Sequence, residues 1–295
     1  MVSLALKRLD AVPLFVPAIL LLGLLGVVAG QLDQLPHSVA AAPFPETVRI
    51  EPRPYSYRAS GDFQQDGVPI NGPLVSLAAP APLDIMRFEV REDEYRRCVE
   101  AGACEATSAR GIRDDFPVTG VSFEDATAYA RWLSSATGQT WRLPTIEEWA
   151  FAAGSKAVDH ALKVETDGSN QADRWLATYD QETAAVVEGP SAPGPFGNFG
   201  VNEFGVADLS ANVWEWTETC LTRTTLPTNP HDDATSIVSC GVRYLEGRHR
   251  SPMNVFVRDA RGGGCSAGVP PENLGFRLVR QAPWYAGVVG WFSWP

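Results

Sequence analysis

The chain has 295 residues, of which 45% are hydrophobic and 20% are charged, and its formal net charge is −11. This length and composition allow a full hydrophobic core, so we expect one large domain with an N-terminal appendage and see no sign of large-scale disorder. The acidic balance and the lack of any basic run exclude a nucleic-acid-binding protein, because phosphate recognition needs a basic face.

The first 30 residues predict export from the cytoplasm. Residues 1–10 form a cytoplasmic segment that carries Lys7 and Arg8, and residues 11–30 are uncharged, mostly apolar and long enough to span a bilayer. A transmembrane anchor is therefore expected, with the domain in the periplasm or elsewhere outside the cytoplasm. A cleaved signal peptide is one alternative, because Val28-Ala-Gly30 resembles a cleavage site, and a buried core helix is another.

Residues 31–82 predict a linker that merges into the first strands. The segment is rich in Pro, Ala and short polar residues, and apolar and polar residues alternate only in patches, at Val48–Ile50 and Val75–Leu77. Such patchy alternation is typical of short strands in a surface-exposed segment. The folded domain is expected over residues 83–281.

Three helices follow one strand in the predicted domain. Alternation over Asp84–Val90 predicts a half-buried strand, and Arg91–Glu100 predicts a helix that a glycine stops at Gly102. Ser122 and Thr145 are each followed three residues later by an acidic residue, which is the capping-box signal for a helix start. The two helices should end at the next glycines, which are residues 138 and 154.

Regular periodicity largely fails over residues 155–240, which are rich in Gly, Pro, Asn and Asp. We expect no helix longer than one or two turns there. A long segment with little regular structure must be held by metal ions, disulfides or aromatic packing, and nine Trp residues supply the last of these. Composition alone therefore indicates a loop-rich α+β protein.

Five cysteines bear on the compartment. Cys98 and Cys104 flank a predicted helix end, and Cys220 and Cys240 bracket a loop rich in Thr, Pro, Asn and Asp. We expect these two pairs to form disulfides in an oxidising compartment, which leaves Cys265 unpaired. Four cysteines permit three connectivities, and five reduced thiols in the core remain an alternative.

Glu215 is placed between two large aromatic residues, Trp214 and Trp216. A carboxylate buried between such rings costs roughly several kcal/mol unless donors or a cation compensate its charge. Hydrogen bonds from backbone N–H groups are one solution, and coordination to calcium is the other.

Three ordered motifs carry a family resemblance that covers about residues 80–281. They are Asn212-Val-Trp-Glu-Trp-Thr217, then Pro117–Ala126 leading to Arg142–Trp149, and Asn273-Leu-Gly-Phe-Arg277 near the end. In this combination the sequence resembles the formylglycine-generating enzyme family, also called the sulfatase-modifying factor family. The resemblance implies an α+β, C-type-lectin-like fold with two helices, small antiparallel sheets and extensive loops.

The resemblance also implies calcium. It places a structural Ca²⁺ site at Ser210, Ala211, Val213 and Glu215, which offer hard oxygen ligands. A second family site draws on an Asn in the preceding loop, for which Asn170 is the nearest candidate and Asp180 a candidate partner.

Copper is not expected. In the oxidising members of the family, two cysteines shortly after an Arg-Gly-Gly-Ser-like segment bind copper(I), for which soft thiolates are the right ligands. The corresponding segment here resembles Arg243–Arg250, and no cysteine lies between Cys240 and Cys265. Direct formylglycine generation is therefore not predicted.

The candidate catalytic residues are Arg248, His249 and Cys265. The resemblance places His249 where the active-site groove would begin, and the Arg248–Arg250 trio suits an anionic or carbonyl-bearing ligand with His249 as acid or base. A solvated basic loop is the alternative. Cys265 lies in a glycine-rich stretch where a thiol could be exposed, and it could equally be incidental. An iron site of three histidines is disfavoured, because the four histidines are dispersed.

These observations predict an exported, membrane-anchored domain without the copper thiols, acting as a binding or accessory subunit of an envelope complex. The alternative is an enzyme of altered chemistry in the same groove, either an oxidoreductase or one that modifies a small molecule or a partner's side chain. Residues 282–295 form an aromatic tail with three Trp residues, which suits docking on a partner or membrane, or packing on the domain itself.

Overall fold

The computed structural model describes residues 44–79, 81–107, 113–162, 170–187, 192–229, 231–260 and 273–281. The expected membrane segment at residues 11–30, Cys265 and the aromatic tail at 282–295 lie outside these ranges. Across the described ranges, no helix combines the length and the apolar character that crossing a membrane requires.

The described part of the chain mixes short strands with four helices. The strands are β1 (Thr47–Ile50), β2 (Pro54–Arg58), β3 (Asp62–Gln65), β4 (Val68–Ile70), β5 (Leu74–Ala78), β6 (Leu83–Met86), β7 (Thr140–Arg142), β8 (Trp214–Leu226), β9 (Thr235–Glu246), β10 (Ser251–Asn254), β11 (Leu274–Gly275) and β12 (Val279–Gln281). The helices are α1 (Glu92–Glu100), α2 (Phe123–Thr137), α3 (Ile146–Ala153) and α4 (Gln171–Val187).

The strands form two main sheets and one pair. An antiparallel sheet has the order β1-β6-β12-β7, so that the last described strand lies inside it. A second sheet has the order β10-β9-β8-β3-β4, and β11 adds to β8 in parallel. β2 pairs with β5. The strands expected around Val48–Ile50 and Val75–Leu77 are therefore present, and the strand expected over Asp84–Val90 ends at Met86.

The helix starts follow the capping signals in the sequence. The Ser122 hydroxyl accepts from the Asp125 backbone N–H at 3.1 Å, and the Asp125 carboxylate accepts from the Ser122 N–H at 2.9 Å. Thr145 and Glu148 repeat this reciprocal arrangement at the start of α3. Gly138 ends α2 in the left-handed conformation at φ 67°, which a glycine adopts without strain. The prediction of these helices is confirmed.

The prediction that residues 155–240 contain no long helix is wrong. α4 has 17 residues, or about five turns. Its aromatic residues Trp175 and Tyr179 are exposed, at 53% and 39%, and they stack on each other with ring centroids 5.9 Å apart. Because its large apolar residues Trp175, Leu176 and Tyr179 are exposed, this part of α4 does not show the inward apolar stripe on which helix prediction depends.

Two disulfides join the expected cysteines. Cys98 in α1 is bonded to Cys104, which lies just after that helix, and Cys220 in β8 is bonded to Cys240 in β9. The second bond links the two long strands near the register shift at Cys220. Both predicted pairings are confirmed.

Candidate functional site

A buried ion pair joins the two most specific sequence motifs. Glu215, the second residue of β8, and Arg277, two residues after β11, are both fully buried. Arg277 Nε donates to Glu215 Oε2 at 2.6 Å, and Arg277 Nη2 donates to Oε1 at 2.7 Å. The Trp149 indole N–H also donates to Oε2, at 3.0 Å. The guanidinium therefore supplies the compensation that a buried Glu215 requires.

A second buried carboxylate belongs to the same cluster. Glu89 Oε2 lies 3.7 Å from Arg277 Nη2, and burial raises the pKa of Glu89 to about 8. Arg277 also donates to the backbone carbonyls of Met86, Arg87 and Ala207, at 3.3, 3.1 and 3.1 Å. Arg277 thus ties three distant segments of the chain together. Sequence reasoning missed this role, although the Asn273–Arg277 motif already indicated that the arginine mattered.

The expected calcium ligands do not fit a calcium ion. Both oxygens of Glu215 accept from Arg277, and the Ala211 carbonyl accepts from the Arg248 guanidinium at 3.3 and 3.1 Å. A cation placed there would meet two guanidinium groups that carry the same charge. The Ser210 hydroxyl donates to the Lys156 carbonyl, and Val213 is buried.

The second expected calcium ligand lies on another element. Asn170 is at the start of α4, where its side chain accepts from the Ala172 N–H and donates to Asp173. Asp180 is exposed farther along the same helix. Among the described residues, no group of three or more His, Cys, Asp or Glu side chains is arranged to hold a metal ion. Arg277 therefore compensates Glu215, and Asn170 lies at a helix start; calcium binding at Ser210, Ala211 and Val213 stays a prediction.

Arg248 and His249 meet at Trp214 rather than at an open groove. His249 is buried, and its ring packs edge-on against Trp214 with centroids 5.3 Å apart. The Trp214 indole N–H donates to the His249 carbonyl at 3.1 Å, and the Arg248 guanidinium lies 5.5 Å from the Trp214 ring. The two residues are brought together as expected, in packing roles around the tryptophan. The third candidate, Cys265, lies outside the described residues.

A histidine–glutamate–arginine cluster lies next to these residues and was not predicted. Glu246 is buried and accepts from Arg250 Nε at 2.7 Å, while His160 Nε2 lies 3.3 Å from its other oxygen. Burial raises the pKa of Glu246, but Arg250 and His160 outweigh that effect, and the net pKa is below its ordinary value. The Arg250 backbone N–H donates to His160 Nδ1 at 3.2 Å, which fixes the proton of the ring on Nε2.

The cluster borders a polar cavity of about 210 Å³ under α4. Its walls come from β2, the loops around β3 and β4, the start of β10, and the inward face of α4. An open groove of about 580 Å³ shares Arg174 and Thr178 with it and runs along the β3–β4 hairpin past Trp175. Five basic side chains border the cavity: Arg58, His160, Arg174, His249 and Arg250.

Sequence comparison identifies the family to which these motifs belong. The profile of the sulfatase-modifying factor enzyme 1-like domain matches residues 33–282. The chain belongs to this family. The sulfatase-modifying factor domain thus includes β1 to β5 as well as the three motifs found by inspection.

Some relatives within the family are named as formylglycine-generating enzymes, and others are named as inactive. Over 221 residues the chain is 27% identical to "Formylglycine-generating enzyme" of Streptomyces coelicolor, covering 72% of this chain and 66% of that protein. Over 112 residues it is 37% identical to "Inactive C-alpha-formylglycine-generating enzyme 2" of Bos taurus, covering 36% of this chain and 35% of that protein. The chain thus spans about a third to two thirds of the length of the curated relatives that it matches.

A solved structure shares the fold. The structure of PvdO from Pseudomonas aeruginosa superposes with a TM-score of 0.51 at 20% sequence identity, covering 81% of this chain and 95% of that chain. At this level of identity the similarity concerns the arrangement of helices and sheets.

Proposed function

We propose that this sulfatase-modifying factor domain is a binding module, serving as an accessory subunit of an envelope complex, and not a copper-dependent formylglycine-generating oxidase. The observation that carries the proposal is the sequence between Cys240 and Cys265, which contains no cysteine. Copper(I) chemistry in the family requires a pair of soft thiolate ligands in this segment. The similarity to a relative named as inactive supports the same conclusion.

The packing of the β9–β10 corner also supports a binding role. The Arg248 guanidinium donates to the Ala211 carbonyl, and the His249 ring packs on Trp214, whose indole N–H donates to the His249 carbonyl. Both residues therefore contribute to the framework of the corner. A general acid or base must reach a substrate proton, which a ring packed against an indole does poorly. The residues placed to contact a ligand are those on the walls of the cavity under α4, and His249 is one of them.

Export and membrane anchoring complete the proposal. The two disulfides suit an oxidising compartment, and the apolar residues 11–30 suit an anchor beside the membrane. The domain would then lie in the periplasm or outside the cell, where the aromatic tail at 282–295 contacts a partner or the membrane surface.

The oxidase assay tests the chemical part of the proposal. Full-length protein is incubated with copper, oxygen and a sulfatase-type cysteine peptide, and the mass of the peptide is measured by mass spectrometry. The Streptomyces coelicolor relative is the positive control. We expect an unchanged peptide. Turnover that depends on added copper would refute the proposal.

Co-purification from membranes tests the binding part. The tagged full-length protein is isolated in mild detergent beside a variant that lacks residues 284–295. We expect an envelope protein that is recovered with the full chain and depleted with the variant, while both melt at the same temperature. An altered enzyme in the same groove would instead convert a small molecule or a partner's side chain, and recovery of a modified partner would favour that alternative.

A further inference from the structure

α4 turns a polar face toward the domain. Arg174, Thr178, Gln181 and Glu182 follow helical spacing and line the cavity of about 210 Å³, whereas Leu176 and Tyr179, farther round the helix, are 50% and 39% exposed. A surface helix normally buries its apolar side. The wall that α4 contributes to the cavity is therefore polar.

The charges around the cavity leave one positive charge without an ion pair. Arg58 is paired with Asp159 at 2.5 and 2.9 Å, and Arg250 is paired with Glu246 at 2.7 Å. Arg174 donates to the Asn71 side chain at 3.1 Å, and no carboxylate of the described residues lies within ion-pair distance of it. Burial without a compensating charge lowers the pKa of Arg174. An anion on this guanidinium would restore the lost solvation.

Glu182 lies two turns farther along the same face of the helix. Its Oε2 atom is buried and has no hydrogen-bond partner among the described residues, and burial raises the pKa of the carboxyl group to about 8. At neutral pH the group therefore carries a proton and acts as a neutral donor. Such a side chain suits the hydroxyl or carbonyl oxygen of a ligand and disfavours a second negative charge.

The charge of Arg174 limits the ligand more than the space around it does. The cavity of about 210 Å³ shares Arg174 and Thr178 with the open groove of about 580 Å³, so its volume sets no upper limit on ligand size. One uncompensated cation favours a monoanion over a dianion. A planar guanidinium matches the two oxygens of a carboxylate.

We propose that the cavity under α4 binds a small monocarboxylate that carries a further hydroxyl or carbonyl oxygen, with the carboxylate held by Arg174 and the neutral oxygen facing the polar side chains of α4. The site rests on the proposed binding role and gives that role a ligand class. It is independent of the copper assay, because an oxidase could also hold such a ligand and a binding module could lack it.

Isothermal titration of the full-length protein in detergent tests the site. The probes are lactate, pyruvate, acetate and inorganic phosphate, applied to wild type, to Arg174→Gln and to the matched control Arg131→Gln, which alters an exposed arginine of α2. We expect lactate or pyruvate to bind more tightly than acetate and phosphate. Arg174→Gln should weaken binding about tenfold or more, the usual effect of losing a charged hydrogen bond, and the control should bind as wild type does.

Glu182→Gln supplies a second, milder test. Between pH 7.5 and 9.0 the carboxyl group of Glu182 loses its proton, so binding to wild type should weaken while binding to Glu182→Gln should stay constant. The other titratable groups at the cavity are Arg58, Asp62, His160, Tyr244, His249 and Arg250. Burial raises the pKa of Tyr244 above this window.

Three outcomes would overturn the site. They are no millimolar binding of any probe to wild type, equal binding by Arg174→Gln and Arg131→Gln, or preferential binding of phosphate. Melting temperatures measured on the same samples show whether each variant is folded.

Discussion

Replacing Arg277 by methionine removes the cation that holds two buried carboxylates. Glu215 loses hydrogen bonds of 2.6 and 2.7 Å, Glu89 loses a guanidinium at 3.7 Å, and three backbone carbonyls lose a donor. Breaking one buried ion pair costs about 3–5 kcal/mol of unfolding free energy, because a charge is left uncompensated. Because two carboxylates are affected, we expect the unfolding free energy to fall by about 5 kcal/mol at pH 8.

This loss is large beside the roughly 5–15 kcal/mol by which domains are stable. A domain of this size loses about 2–4 °C in melting temperature per kcal/mol, so the melting temperature should fall by roughly 10–20 °C. The deficit should shrink at pH 5.5, since carboxylates without a cation bind protons in the folded state and become neutral. Thermal melting followed by circular dichroism at both pH values measures the effect.

Two companion variants make the result interpretable. Arg49→Met removes an exposed arginine that pairs with Glu51 and Asp84 at 3.3 Å, and it should cost at most about 1 kcal/mol. Adding Glu215→Leu to Arg277→Met should recover part of the stability, because the uncompensated charge is then gone. A deficit in Arg277→Met no larger than that in Arg49→Met at pH 8 would refute the reasoning.

Three further predictions concern the same domain. Cys220→Ser with Cys240→Ser should lower the unfolding free energy by about 3 kcal/mol, as chain entropy gives for a sequence separation of 20, and denaturant unfolding checks it. Wild type should lose stability as pH rises from about 4.5 to about 8, because folded Glu89 and Glu182 each keep a proton that the unfolded chain releases; Glu89→Gln should make that part of the profile less steep, and an equally steep profile would contradict this assignment. Calcium titration should give the same result for wild type and Glu215→Gln, because both oxygens of the Glu215 carboxylate accept hydrogen bonds from Arg277. A calcium affinity that is present in wild type and absent from Glu215→Gln would show that Glu215 binds the metal.

Local signals made much of the fold predictable. The capping boxes at Ser122 and Thr145 gave the starts of α2 and α3, because each acts over four consecutive residues. α4 could not be predicted in this way, since its exposed Trp175 and inward Arg174 reverse the usual pattern of a surface helix. The residues packed around α4, and not a pattern in its own sequence, decide which face of the helix is turned toward the domain.

The sequence predicted that a buried Glu215 needs a compensating group, but it did not predict which residue supplies it. Glu215 between two tryptophans required compensation, but the residue that provides it is 62 positions away in the sequence. The contact between His160 and Glu246 likewise joins residues that no short motif links. Pairings of this kind depend on how the sheets assemble, which the local sequence does not encode.

The central place of β12 has a consequence for how the chain is made. β12 lies between β6 and β7, and its central residue Arg280 reaches Asp84 across 196 positions of sequence. During synthesis the earlier strands emerge first and must wait for this last partner, since contacts of such long range close only when both ends are present. A chain that ends before β12 therefore lacks the strand that pairs with both β6 and β7.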